Sequence, residues 1–179
     1  MDIDIDKSWT LFLDRDGVIN KKLENDYVKS WDEFEFLPGV LESIQYFSQI
    51  FGKIVVVTNQ QGIGKGLYTH EDLDNIHHKM ILEITASGGR IDKVYYSPNL
   101  NSENSILRKP NIGMGLKAKE DFPEIDFKKS VMIGDSVSDM QFGKNLGMKT
   151  FYITKKDISK YGENVLFDYL INGLDGLRF

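Results

Sequence analysis

Asp14 and Asp16 stand one residue apart, directly after the apolar run Leu11-Phe12-Leu13 and directly before Gly17. So short and apolar a run predicts a strand buried on both faces of a parallel sheet. The glycine lets the chain turn, which places the acids where the sheet edge opens to solvent. Alone, Asp-x-Asp-Gly is a polar turn. Groups of matching chemistry, however, follow later apolar runs: Thr58 and Asn59 after Ile54 to Val57, Arg108 and Lys109 after Ile91 to Ser97 and its loop, and Asp135 and Asp139 after Val131 to Gly134. Together they describe a phosphoryl-transfer site. Acids from the first and fourth strands can share a magnesium ion, which prefers oxygen ligands, while Thr58 and Lys109 neutralise the equatorial oxygens of the moving phosphoryl group. With no cysteine and no Ser-His pair, Asp14 is the expected nucleophile, through an aspartyl-phosphate. Asp16 is the expected proton donor and acceptor, which requires a pKa above that of Asp14.

Each member has an ordinary structural explanation by itself. Thr58 can end a strand, Lys109 before Pro110 can be a solvated loop charge, and Asp135 can be the N-cap of the helix after it. Their order behind successive strands is what argues for a site. His70, His77 and His78 earn no such reading, because adjacent histidines on a helix point to different sides; all three are expected at the surface.

The elements that must position these groups alternate between strand and helix. Pro38-Gly39 opens a helix whose apolar residues Val40, Leu41, Ile44, Phe47 and Ile50 have helical spacing, and Gly52 closes it. Lys53 to Thr58 reads as a strand, followed by a glycine-rich loop to Gly66. Thr69 is placed to cap a helix running to about Ser87, with Asp72 completing a capping box and Tyr68 and Leu73 a hydrophobic staple. Ile91 to Ser97 is a strand and Pro98 to Asn111 a polar loop. A short helix from Gly113 to Asp121 precedes the strand Val131 to Gly134, a helix ending at Gly147, and a strand from Lys149 to Ile153. Phe34 to Phe36 and Val165 to Phe167 read as further short strands, and the tail after Asp157 as a helical turn or two. The alternation predicts an α/β fold of three layers, Rossmann-like, with a central parallel sheet and ligands beyond its carboxyl edge.

The 179 residues suit a single domain that can bury a full core. With 41% hydrophobic and 27% charged residues the composition is that of an ordinary globular protein, and the absence of cysteine excludes disulfides and thiolate zinc sites. A net charge of -5 without a basic block speaks against nucleic acid as a partner. No apolar run approaches the ~20 residues of a membrane span, and the start of the chain does not read as a signal peptide. A cytoplasmic protein, expected as a monomer, follows.

The motifs Asp14-Arg15-Asp16-Gly17-Val18, Thr58, Lys109 and Gly134-Asp135 to Asp139 resemble the signature of the haloacid dehalogenase superfamily. The longer matches at 58 to 66, 108 to 114 and 134 to 141 resemble its subfamily IIIA, the branch of heptose 1,7-bisphosphate and histidinol phosphatases. The resemblance covers about residues 9 to 153 and implies a phosphatase domain without a large cap. It implies Asp14 and Asp16 as nucleophile and acid, with magnesium on the Asp14 carboxylate, the Asp16 main-chain carbonyl and Asp135, and Asp139 behind them. Glu24, Asn25, Asp26 and Tyr27, the run Thr58, Asn59, Gln60 and Gln61, and Arg108 would contact a small sugar phosphate. The implied reaction is removal of the C7 phosphate of D-glycero-D-manno-heptose 1,7-bisphosphate, on the route to surface polysaccharide, with histidinol phosphate as the alternative substrate.

The chain departs from that pattern where relatives carry zinc on a Cys and His loop. The corresponding positions are Ser97, Asn99, Ser105 and Leu107, so no zinc is expected. Ser136 stands where a basic residue is common, and the loop after Asn20 is slightly longer than in the heptose enzyme. A phospho-aspartate receiver module is a more distant alternative. Its acceptor aspartate would end the third strand, where this chain has Tyr96-Ser97-Pro98.

Overall fold

A computed structural model of the chain describes residues 3–154 and 166–179. Its strands are β1 (Thr10–Leu13), β2 (Lys53–Asn59), β3 (Lys93–Ser97), β4 (Ser130–Gly134), β5 (Lys149–Ile153) and β6 (Tyr169–Ile171), and its helices α1 (Val40–Ile50), α2 (His70–Ala86), α3 (Gly113–Asp121) and α4 (Val137–Leu146). The strands form one sheet in the order β3-β2-β1-β4-β5-β6, with every neighbouring pair parallel. The order reverses between β1 and β4. There the connections leave in opposite directions and open a crevice at the carboxyl edge.

Two apolar layers hold the sheet, and the strand period of two decides which residue joins which. Leu11, Leu13, Ile54, Val56, Val131 and Ile133 face a core shared with Ile44 and Phe47 of α1 and Met80 and Ile84 of α2. The alternate residues Phe12, Val55, Val57 and Met132 face a smaller core with Met114 and Ala118 of α3 and Phe142 of α4. Each such side chain, fully buried, contributes about 1.5–3 kcal/mol. Strand ends anchored this way hold the acids after them in place. Among the described residues no helix is long and apolar enough to cross a membrane.

Several local expectations shift. Phe36 makes only an isolated bridge to Asn20, and a 3-10 turn at Trp31–Glu33 precedes it, so no strand forms at 34–36. Gly39, with φ 71°, is the residue before α1, which puts Pro38 outside the helix. Of the strand expected at 165–167, Val165 lies outside the described residues and Leu166 and Phe167 are not in a strand; the edge strand is β6, paired with β5. Residues 157–165 of the tail expected to form a helical turn or two lie outside the described residues, and 166–179 contain no helix. Its end packs back on the larger core through Leu174 and Leu177, and the Ser43 hydroxyl donates to the Leu174 carbonyl at 2.8 Å. The capping box of α2 forms as expected between Thr69 and Asp72.

Helix α4 is capped by Ser136, not by Asp135. The Ser136 backbone is extended, its hydroxyl accepts from the Asp139 amide, and the Asp139 carboxylate accepts in return from the Ser136 amide. Asp135, relieved of capping, pairs instead with Lys22.

Candidate active site

The floor of the crevice is a set of charges taken out of water. After β1 the chain folds into a tight turn in which the amides of Val18, Ile19 and Asn20 all donate to the Arg15 carbonyl. Gly17 sits in it at φ +88°, and a Cβ there would collide with the Asp135 carboxylate, so the close approach of the β1 and β4 ends requires glycine. Asp14 Oδ1 accepts from the Arg15 amide at 2.7 Å and lies 3.0 Å from Lys109 Nζ. Its Oδ2 has no hydrogen-bond donor among the described residues.

Lys109, 2% exposed, is the hub of this floor. Its Nζ meets Asp14 Oδ1, Asp139 Oδ1 at 2.6 Å and the Val57 carbonyl at 2.6 Å. An ammonium has three protons, so none is left for a ligand. Its ammonium is turned to the two aspartates and the Val57 carbonyl, where the sequence predicts phosphoryl oxygens. Burial works against its charge, but Asp139 and Asp14 outweigh that and raise its pKa. Asn59 fixes the lysine's backbone, with Oδ1 accepting from the Lys109 amide and Nδ2 donating to its carbonyl.

Asp16 is clamped from behind. The Arg15 guanidinium donates to both carboxylate oxygens at 2.8 and 3.0 Å, Asn20 Nδ2 to Oδ1, and Gln60 Nε2 to Oδ2. Burial acts to raise its pKa, but the Arg15 charge and these hydrogen bonds prevail and hold it below the usual carboxylate range. Asp14 moves the other way, pushed up to about 7 by burial first and then by the charge of Asp139, with Lys109 opposing. The order expected from the sequence is reversed, because Arg15 serves Asp16 while Asp14 shares one ammonium with another acid. Asp135 is raised as well, by burial, against the pull of Lys22.

Two contributors went unread in the sequence. Arg15 is fully buried, and its Nη1 donates to His77 Nε2 at 3.2 Å. Arginine has no acceptor, so His77 must be neutral with its proton on Nδ1. His77, expected at the surface, is buried, and burial followed by the Arg15 charge pushes its pKa down to about 3. The signal was present: Leu73, Ile76, Met80 and Ile84 are the buried stripe of α2, and position 77 falls on it. His70 and His78 are exposed as expected.

A cavity of about 480 Å³ opens above Asp14, Asp16, Thr58, Lys109 and Asp139. Of the residues expected to contact substrate, Asn25, Asp26, Tyr27, Asn59, Gln61 and Arg108 line it. Glu24 is exposed outside its lining, and Gln60 is buried behind it, bridging Asp16, Thr58 Oγ1 and the Tyr68 hydroxyl. Lys22 and Lys65 line it too, without having been singled out. The Tyr27 hydroxyl accepts from Gln61 Nε2 at 2.8 Å and Lys65 Nζ at 2.9 Å, which ties two loops into a wall. The loop from Ser97 to Asn111 is ordered by its own polar groups. Glu103 accepts from Asn99 Nδ2 and the Leu100 amide, Arg108 donates to the Asn99 carbonyl, and Asn111 donates to the Ser105 carbonyl.

Oxygens of Asp14, Asp135 and Asp139 lie within 4.8 Å of one another. An all-oxygen, anionic donor set of this kind fits a hard divalent cation. Asp139 is the least available of the three, since Oδ2 accepts from Ser136 and Oδ1 pairs with Lys109.

The sequence matches the polynucleotide kinase 3 phosphatase family over residues 8–165. It is 40% identical over 151 residues to the D-glycero-alpha-D-manno-heptose-1,7-bisphosphate 7-phosphatase of Campylobacter jejuni, across 84% of this chain and 85% of that protein. It is 34% identical over 177 residues to the D-glycero-beta-D-manno-heptose-1,7-bisphosphate 7-phosphatase of Escherichia coli K12, across 93% and 90%. The crystal structure of D,D-heptose 1,7-bisphosphate phosphatase from B. bronchiseptica, complexed with magnesium and phosphate, superposes with a TM-score of 0.84 at 29% identity, covering 93% of both chains. With a parallel sheet reversed at β1 and β4 and carboxylates meeting beyond that point, the chain belongs to the polynucleotide kinase 3 phosphatase family, within subfamily IIIA of the haloacid dehalogenase superfamily.

Proposed function

We propose that this protein is a magnesium-dependent phosphatase that removes the C7 phosphate of D-glycero-D-manno-heptose 1,7-bisphosphate through an aspartyl-phosphate on Asp14. The observation that carries the reading is the state of Asp14: one oxygen is pinned by Lys109 and the Arg15 amide, and the other is open at the floor of a cavity whose lining includes Lys22, Lys65, Arg108 and Thr58. The Asp14 and Asp135 carboxylates, with the main-chain carbonyl of Asp16, would hold the cation, which supplies the charge neutralisation that lets a carboxylate approach a phosphate dianion.

Asp14 Oδ2 attacks phosphorus, a P–O bond to the carboxylate forms, and the bond from phosphorus to the C7 oxygen breaks. Asp16 gives that oxygen its proton. It then takes a proton from water, which attacks the phosphoryl group, releases phosphate and restores Asp14. A carboxylate has about four lone-pair sites, and Arg15, Asn20 and Gln60 together fill those of Asp16. Asp16 must therefore shed one donor before it can carry a proton. Thr58 Oγ1 accepts from Gln60, which leaves its own proton free for a phosphoryl oxygen. Arg108 and the wall made by Tyr27, Gln61 and Lys65 would select the sugar and its second phosphate. We read the Ser97 to Asn111 loop as working without zinc, its hydrogen bonds replacing the metal.

The test is phosphate release with magnesium from both anomers of heptose 1,7-bisphosphate, beside histidinol phosphate and an aryl phosphate. At least about tenfold faster turnover of one heptose anomer is expected. Faster release from histidinol phosphate would sink the assignment of substrate, and no release from any of them would sink the phosphatase.

A further inference from the structure

Lys22 plays no part in the chemistry above, yet it reaches across the crevice to Asp135. Its Nζ lies 2.8 Å from Asp135 Oδ2 and 3.2 Å from Oδ1, so one ammonium takes both oxygens of the carboxylate. Among the described residues no other hydrogen-bond donor reaches that carboxylate, because Ser136 has taken over the capping of α4. The three clustered acids thus have two countercharges of different kinds. Lys109 is buried and held by three partners, so it cannot leave. Lys22 has a side chain 54% exposed, on a loop, and among the described residues Asp135 is its one partner. A divalent cation held by Asp14 and Asp135 would compete with this ammonium for the Asp135 oxygens, and two positive charges on one carboxylate repel.

We propose that Lys22 is an exchangeable counter-ion. It neutralises Asp135 while the cation is absent, is displaced when the cation binds, and then places its ammonium on a phosphoryl oxygen in the cavity that it already lines. This deepens the reading of the site as a metal-dependent phosphatase and rests on it. The displaced lysine would serve substrate binding without any change in backbone, since four rotatable bonds suffice to move Nζ from the carboxylate into the cavity. The exchange also links the two ligands: metal must arrive before the lysine is free for phosphate.

The experiment uses the full chain, Mn2+ as the metal probe, read by electron paramagnetic resonance, and inorganic phosphate as the anion, read by calorimetry on the Mn2+-loaded protein. Lys22→Gln is expected to bind Mn2+ about 3- to 10-fold tighter than the parent when no phosphate is present, and to bind phosphate weaker by a similar factor once loaded. Lys22→Arg, which keeps the charge, should return both affinities toward those of the parent. Equal Mn2+ affinity in the parent and Lys22→Gln would overturn the exchange alone. Tighter Mn2+ with unchanged phosphate affinity would overturn the transfer to phosphate. A parent chain that binds no Mn2+ would overturn the phosphatase reading, and this proposal with it.

Discussion

The floor and the rim of the cavity are polar for opposite reasons. On the floor, Asp14, Lys109, Asp139 and Arg15 are buried; Lys109 pairs with Asp14 and Asp139 from two other strand ends, and Arg15 with Asp16 beside it. On the rim, Lys22, Asp26, Lys29 and Arg108 keep contact with water and pair within loops or across the opening. Buried charges are expensive to unpair, so the floor is rigid and a substitution that strands a charge there is costly. Exposed pairs contribute ~0–1 kcal/mol, so the rim can change sequence with little cost to the fold. On the function proposed above, chemistry would belong to the first region and choice of substrate to the second.

The comparison breaks most visibly at the proposed nucleophile. Asp14→Asn should lower turnover by at least ~10^3-fold while circular dichroism and the melting temperature stay close to those of the parent. Appreciable turnover would remove Asp14 from its role. Lys109→Met should be both inactive and unstable, because Asp14 and Asp139 are left buried with no cation. A loss of about 3–5 kcal/mol in denaturant unfolding is expected, and a loss below 1 would mean that the floor is wetter than described. On the rim, Arg108→Ala should raise KM for the bisphosphate about tenfold with kcat within a factor of two or so, and leave stability almost unchanged. An equal fall in kcat would place Arg108 with the floor.

The smaller effects sharpen the boundary. His77 is held neutral in the fold, so between its folded value of about 3 and its ordinary 6.5 the unfolded chain binds a proton that the folded chain refuses. Stability therefore rises with pH across that window and is lost as pH falls through it, by up to ~1.4 kcal/mol per pH unit. Urea titrations of the parent and His77→Gln should differ in slope by this amount below pH 6.5, and parallel slopes would mean that His77 is exposed to protons. Tyr27→Phe deletes the acceptor shared by Gln61 and Lys65 and should raise KM only two- to threefold or so. An effect beyond tenfold would show the wall to be part of the floor's machinery.

Much of this was legible because strand ends are legible. Runs such as Lys53 to Thr58 and Val131 to Gly134 carry their boundaries in their composition, and the residue after each boundary lies at the same edge of a parallel sheet. Hence Asp14, Asp16, Thr58, Lys109 and Asp139 could be named together and are found around one cavity. Loops resisted. Glu24 and its neighbours Asn25 and Asp26 looked equivalent in the chain, yet only the latter two line the cavity. The path of a loop over a strand end follows from long-range bonds such as that of Tyr27 with Lys65, which no local pattern announces.

The sequence by itself determined the parallel sheet, the set of acids at its carboxyl edge and the exclusion of cysteine chemistry, since these depend on periodicity and composition. Only the tertiary structure decided how the charges are shared. Arg15 was a residue between two aspartates until folding buried it against Asp16 and His77. Asp135 was a helix cap until Ser136 took that place and Lys22 crossed the opening to meet it. Pairing and pKa depend on distance and burial, and residues separated by as many as 113 positions acquire both only when the chain has folded.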